Sequence, residues 1–493
     1  MKKSARDFAD INFEDQIRDT REIIKIPSVF DEETASPKTP FGAGAARALE
    51  AFLRVAEKMG FRVKNIDNSV GYAEIGEGEE LAGILAHLDV MPAGRPDDWK
   101  YPPFDAVVEN GTLWGRGAVD DKGPAMAALY ALKALKDAGV NFTRRFRLIL
   151  GLDEENGSRC IKRYNETEEP PVFSFSPDAS FPVVNAEKGI LRLVLTKRSA
   201  NETSAEEISL LALNGGDRFN VVPDYAFAFV KCGAESRGRI KNILEGMAVS
   251  EKDGGILVEA RGTAAHAMEP EKGDNAVQKI LRRLKEVDFC AGDAEAVGSL
   301  CELFGHGIGG EGLGIASEDE ISGPLTCNTA SVETRPGDRA GKIFKVKLDI
   351  RYPVTLDSQR LIENIARKAE DSGFEPEIAT HKPPLYVPKD DFVVKTLLDA
   401  YESVTGDRPA PVSMGGGTYC RFMPNSVSFG PVFPGQPELA HQANERIQLE
   451  DLRKCTHIYA EALLRFNERV TADWDPASHC THTLNDVTKQ NPN

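Results

Sequence analysis

Trp114-Gly-Arg-Gly-Ala-Val-Asp120-Asp121-Lys122-Gly123-Pro124 decides how this 493-residue chain is read. Two adjacent carboxylates stand directly before an Ala- and Leu-rich segment, Lys122 to Asp137, with a helical composition that stops at Gly139. The glycines at 115 and 117 point to a backbone that turns tightly or approaches a neighbour closely. Upstream lies His87-Leu-Asp89, at the end of the apolar run Leu81-Ala-Gly-Ile-Leu-Ala-His87. Downstream lies Asp153-Glu154-Glu155, after Phe146-Arg-Leu-Ile-Leu-Gly-Leu152, and Val172-Phe-Ser-Phe175 leads into Ser176-Pro177-Asp178. Short apolar runs that end in polar groups read as buried strands. Strand, helix, strand, with polar residues at the strand exits, is the α/β pattern, and its site lies outside the carboxyl ends of the strands.

Outward from this centre the texture changes twice. Helical patterns cover about Phe13 to Ile26, stopped by Pro27, and residues 43–59, closed by Gly60. Glu109-Asn110-Gly111-Thr112 is a hairpin signal. From about Gly189 the strands alternate, as one-sided strands do: Ile190 to Thr196, Ile256 to Gly262 and Phe344 to Ile350. Helical patterns at 274–286 and 357–372 follow the latter two. The domain expectation is therefore an α/β catalytic region from 1–188 and 385–470, with an inserted α+β region at 189–384 that resembles two halves. A polar, aperiodic tail at 471–493 reads as disordered.

Composition narrows the function. A chain this long exceeds one ordinary domain. The net charge of −17 argues against nucleic acid and against an anionic membrane surface. No apolar run reaches the length of a membrane span, and the N-terminus lacks the apolar core of a signal peptide. Eight scattered cysteines without a C-x-x-C pair read as reduced thiols, which places the protein in the cytoplasm.

The chemistry rests on carboxylates and histidines at the strand exits. Carboxylates are costly to bury side by side, so a positive charge belongs between them, and paired divalent ions are the natural candidate. His87 is followed two residues later by Asp89, on the same side of an extended segment, where a carboxylate can fix the imidazole tautomer. Asp121 can also be read as a helix N-cap. Glu154 and Glu155 point apart in extended chain, so one suits an ion and the other a proton. An Asx turn is the bland reading of Asp178.

Together these runs, with Glu438-Leu-Ala-His441 and Gly415-Gly-Gly-Thr-Tyr419, resemble the metallopeptidase family M20, and most closely its PepV-type dipeptidase branch. The resemblance covers about residues 10–468. It implies a dinuclear-metal exopeptidase-like catalytic domain with an inserted lid. Asp120 would bridge two metals, His87 and Asp178 would complete one, and Glu155 and His441 the other. Glu154 would be the general base and Asp89 the partner of His87. A cis peptide between Asp120 and Asp121 is also implied. Imidazole and carboxylate ligands suit zinc, with manganese or cobalt as alternatives.

On the substrate side, His266 in Gly262-Thr-Ala-Ala-His266 resembles the lid histidine that stabilises the oxyanion. Asn220 and Arg351 resemble lid residues that touch substrate, and arginine's planar fork suits a terminal carboxylate. Gly416, Gly417 and Thr418 are further candidates for that carboxylate. The implied activity is hydrolysis of short peptides with a free C-terminus. The long lid, which carries its own histidine, implies a monomer. Two alternatives stay open: an amidohydrolase acting on N-acyl amino acids or succinyl-diaminopimelate, and a non-catalytic peptide-binding protein.

Overall fold

Leu81–His87 is buried along its whole length because it lies between two parallel neighbours, Arg145–Gly151 and Phe173–Ser176. The computed structural model that shows this describes residues 3–199, 208–252, 254–337 and 341–469. From Leu81–His87 the chain passes to Arg145–Gly151 on one side, then crosses to Phe173–Ser176 on the other. Such a reversal opens a crevice at the carboxyl ends of the strands, where open α/β sheets hold their ligands. His87 is the last residue of its strand, and the Asp153–Glu155 turn and Asp178 follow the ends of the other two.

Among the described residues, the sheet around these strands has nine members. Arg62–Ile66 and Val70–Ile75 extend it antiparallel beyond Arg145–Gly151, and Ser426–Ser428 continues it parallel to Phe173–Ser176. The helix Lys122–Asp137 packs on the sheet and on Leu449–Glu468. Phe146, Leu148 and Leu150 point one way from their strand, and Arg147 and Ile149 the other, yet all are buried. That is why, Arg147 apart, the run is apolar on both faces rather than alternating. The hairpin expected at Asn110-Gly111 joins Val107–Glu109 to Thr112–Trp114, with both turn residues at positive φ (50° and 74°).

Gly123 shows why the helix start tolerates no larger residue. A Cβ there would fall 2.2 Å from the Ala118 carbonyl oxygen. Gly123→Ala should therefore destabilise the protein by about 1–3 kcal/mol, the usual cost of overpacking. Urea unfolding measures this, and an unchanged midpoint would mean that the loop gives way without cost.

By its internal contacts the chain divides into two units. One comprises the segments up to Ala186, Leu385–Ser413 and the chain from Gly417 onward; the other comprises Glu187–Pro384 and Met414–Gly416. Among the described residues, the second unit is built on an eight-stranded antiparallel sheet. Ser209–Gly215, Tyr225–Lys231, Gly255–Arg261 and Ala248–Lys252 form one four-stranded half. Gly189–Ser199, Thr326–Pro336, Lys342–Tyr352 and Phe374–Lys382 form the other. The halves meet where Gly215 faces Val332 and are stitched by the Thr334 hydroxyl, which accepts from Leu213 N–H at 3.0 Å. Helices Ala276–Leu284 and Ser358–Asp371 lie close to the positions read from periodicity. Strands Gly189–Ser199 and Lys342–Tyr352 run longer than their alternating cores, because they pair with each other over their full length.

No described helix is long and apolar enough to cross a membrane. The seven described cysteines are all buried, and none is joined in a disulfide. The tail from 471 to 493 lies outside the described residues.

Candidate metal centre and active site

Asp120 stands at the centre of the site, with its two carboxylate oxygens turned to different histidines. Oδ1 is 2.9 Å from His87 Nε2, and Oδ2 is 3.0 Å from His441 Nε2. The same His441 nitrogen is 3.0 Å from Glu155 Oε2, while His87 Nε2 is 3.7 Å from Asp178 Oδ2. Two clusters of converging donors result: His87 with Glu154 and Asp178, and Asp120 with Glu155 and His441. The donors suit cations. Ligands about 2.0–2.2 Å from one ion stand about 3 Å from each other. Among the described residues, six acidic or imidazole groups make up these two clusters.

Backbone geometry delivers these groups. Asp120–Asp121 is a cis peptide, and His441 has a positive φ of 65°. Asp121 occupies the N-cap position of Lys122–Asp137, yet its side chain makes no cap hydrogen bond. Instead its Oδ2 accepts from His87 N–H at 3.2 Å, and its Oδ1 finds no hydrogen-bond partner among the described residues. Burial, then Asp178, raises the Asp121 pKa well above the ordinary carboxylate range. Lys122, buried in the same motif, donates to the carbonyls of Ile23 (3.1 Å) and Ile26 (2.7 Å) and so ties the motif to the end of Phe13–Ile24. Asp153, the first acid of its run, accepts from the Arg159 side chain and from Arg159 N–H, anchoring the turn that presents Glu154 and Glu155.

Asp89 works somewhat differently from its reading in the sequence. His87 Nδ1 lies 2.9 Å from Asp89's backbone carbonyl and 3.5 Å from its carboxylate. The carboxylate instead accepts the N–H groups of Glu154 (3.2 Å) and Glu155 (3.1 Å). In neutral His87 the proton thus sits on Nδ1, and Nε2 presents its lone pair to Asp120 and Asp178.

The charge balance has a measurable consequence. Burial opposes charging His87, but Asp178 and Asp120 outweigh it and raise its pKa well above normal. Burial likewise opposes charging His441, and Asp120 and Glu155 raise it to about 11. In the ion-free protein both rings therefore hold a proton at neutral pH, and an ion must displace it. Ion uptake should release protons, and apparent affinity should rise with pH until it approaches about 11. Titrating stripped protein in weakly buffered indicator dye tests this, and uptake without proton release would contradict it.

Glu445 is a residue that sequence reasoning missed. Its buried Oε1 accepts three backbone N–H groups, from Gly117 (3.0 Å), Val119 (2.9 Å) and Asp120 (3.1 Å). Its Oε2 accepts from Arg116 Nη1 at 2.8 Å. Arg116 Nη2 in turn donates to the carbonyls of His441 (3.2 Å) and Pro92 (3.3 Å).

In the second unit Asn220 and His266 are neighbours. Val221 bridges His266, and Ala267 N–H donates to Asn220 O at 2.9 Å. Met268 N–H donates to His266 Nδ1 at 3.1 Å, so the neutral ring carries its proton on Nε2 and can donate. Arg351 is buried, and its Nε and Nη2 are engaged by the carboxylate of Asp349. Its Nη1 donates to Gly415 O at 2.8 Å. The fork expected to clasp a substrate carboxylate is thus held by Asp349, two residues away on the same strand face. Gly416 follows this anchored carbonyl. In the first unit, the Thr418 hydroxyl accepts from Cys420 N–H (3.2 Å) and caps the turn Tyr419–Phe422. A Cβ on Gly417 would meet Arg421 Nε at 2.4 Å.

Residues 83–465 match the model of peptidase family M20/M25/M40. The protein named "Putative dipeptidase YtjP" of Bacillus subtilis (strain 168) is 39% identical over 459 residues, covering 91% of this chain and 96% of the relative. A second so-named dipeptidase, from Staphylococcus aureus (strain USA300), is 36% identical over 464 residues, covering 92% and 97%. Among solved structures, human carnosine dipeptidase 1 superposes with a TM-score of 0.56 at 16% identity, covering 94% of this chain and 98% of that one. The Saccharomyces cerevisiae dipeptidase Dug1p gives 0.56 at 15%, with the same coverage.

Proposed function

The chain belongs to peptidase family M20/M25/M40 and is a hydrolase, and from that premise we propose that it is a dipeptidase working with two divalent ions. The observation that carries this reading is Asp120, whose two oxygens face two separate histidines at 2.9 and 3.0 Å. A single carboxylate serving two centres is what a closely spaced ion pair requires. His87, Asp120 and Asp178 would hold one ion, and Asp120, Glu155 and His441 the other. Zinc fits this donor set best, with manganese or cobalt as alternatives. Bound ions would supply Lewis acidity and bring the pKa of water toward neutrality.

The chain's own groups do the rest. Glu154 takes the proton of the attacking water and hands it to the leaving amine. Asn220 and His266 hydrogen-bond the developing oxyanion, and the proton on His266 Nε2 suits that task. Gly416, Gly417 and Thr418 contact the free C-terminal carboxylate. Arg351 serves that contact by holding the Gly415 carbonyl and, through its remaining N–H groups, by its charge. Residues 189–384 form the lid. The absence of disulfides among the described cysteines fits a reducing compartment, and we place the enzyme there as a monomer.

A panel of free and N-acylated dipeptides, run on stripped protein reloaded with zinc, manganese or cobalt, tests the proposal. Turnover of free dipeptides supports it. A strong preference for acylated amino acids would replace it with an amidohydrolase, and binding without turnover under every ion would leave only a peptide-binding role.

A further inference from the structure

Glu445 sits where no ligand role requires it, fully buried beside a buried arginine. We propose that Glu445 is a positioning residue that, through Arg116, fixes the loop bearing Asp120 against the loop bearing His441. It thereby sets the affinity of the ion held by Asp120, Glu155 and His441. This inference rests on the two-ion reading above.

The argument is one of direction rather than of bulk stability. A buried ion pair adds little net stability, because desolvation offsets the attraction. This one instead joins two chain segments. Glu445 Oε1 gathers the N–H groups of Gly117, Val119 and Asp120 onto one oxygen, as an anion does in a nest of backbone amides. Gly115 N–H donates to Glu445's own carbonyl at 3.0 Å. Arg116, in the same loop, takes the other carboxylate oxygen and passes on to the carbonyl of His441. Thus Glu445 holds the backbone N–H of Asp120, and its ion-pair partner holds the carbonyl of His441. His87 and Asp178, carried by strand ends, are not part of this linkage.

A carboxylate is needed at both ends. Glutamine would keep one accepting oxygen, but its amide would then face either the guanidinium or the three N–H groups. Aspartate keeps the charge but is one methylene too short to meet both sides at once.

Zinc titration of stripped protein against a competing chelator reads the effect directly. In Glu445→Gln, the ion held by Asp120, Glu155 and His441 should bind about 10–100-fold more weakly, the usual cost of losing support behind a ligand, while the other, which shares only Asp120 with this linkage, should weaken less. Glu445→Asp should recover part of the loss. Cobalt loaded into the weakened position should show a shifted visible spectrum. The comparison variant is Glu74→Gln, which breaks another buried pair in the same unit, Glu74 with Arg147 at 2.7 Å, distant in sequence from both loops. It should lower the melting temperature and keep both zinc ions. Two ions bound to Glu445→Gln as tightly as to the parent would overturn the proposal. So would weakening in both variants in step with their melting temperatures, which would mark Glu445 as structural only. If Glu445→Gln fails to fold, Glu445→Asp carries the same test with the same two outcomes. Fewer than two zinc ions in the parent protein would remove the two-ion reading itself, and this inference with it.

Discussion

Asp120→Ala should leave the fold in place and strip the protein of its capacity to hold two ions together. Asp120 faces both histidines, at 2.9 Å from His87 Nε2 and 3.0 Å from His441 Nε2. Its carboxyl is held below the ordinary range even though burial works the other way, because His441 and His87 hydrogen-bond to it. Removing it leaves Glu155 and His441 on one side and His87 and Asp178 on the other, with nothing shared. Loss of a residue that merely supports a ligand typically costs about 10–100-fold in metal affinity, and loss of the shared ligand itself should cost more. Peptide hydrolysis should fall to background. Stability should suffer less, since Asp120 is the source of mutual repulsion with Glu155 and Asp178. Mass-spectrometric metal content, far-UV circular dichroism and a hydrolysis assay on one preparation separate these effects. Two ions retained at normal affinity would mean that Asp120 does not bridge.

Much of this site is legible in the chain itself, for a local reason. Each of His87, Asp153–Glu155 and Asp178 follows an apolar run, and a buried strand ending in polar groups announces where the chain leaves the core. The same local logic does not reach details that depend on the turn itself. Same-side reasoning brings the Asp89 carboxylate toward His87, and it lies 3.5 Å from Nδ1, while the backbone carbonyl of Asp89 is nearer at 2.9 Å. Arg351 and Asp349 obey the strand rule, and the rule pairs them with each other before any substrate arrives. Glu445 carried no local signal at all. It follows His441 in a polar stretch, and its burial arises because Arg446–Gln448 pairs with Thr112–Trp114, more than three hundred residues earlier. Nothing in the periodicity of either segment reports that pairing.

Glu154→Gln separates two roles that the geometry brings close together. Glu154 has a carboxylate oxygen within 4.8 Å of donors on His87 and Asp178, near enough to be counted with them as a third ligand. Its neighbour Glu155 instead lies 3.0 Å from His441. Successive side chains point apart, and Asp89 pins the N–H groups of both residues, so each is fixed to its own side of the turn. If Glu154 is the base, the amide of glutamine preserves its size and leaves the ligands untouched. Both ions should then stay bound with unchanged affinity while turnover falls by about 10²–10⁴-fold, the contribution typical of a positioned base. KM should change little, because the lost interaction acts on the proton in flight rather than on bound peptide. If Glu154 is a ligand, the ion shared with His87 and Asp178 should instead be lost along with activity, and added zinc should restore part of it. Metal content, kcat and KM measured together decide between the two, and near-normal turnover with both ions present would exclude Glu154 from either role.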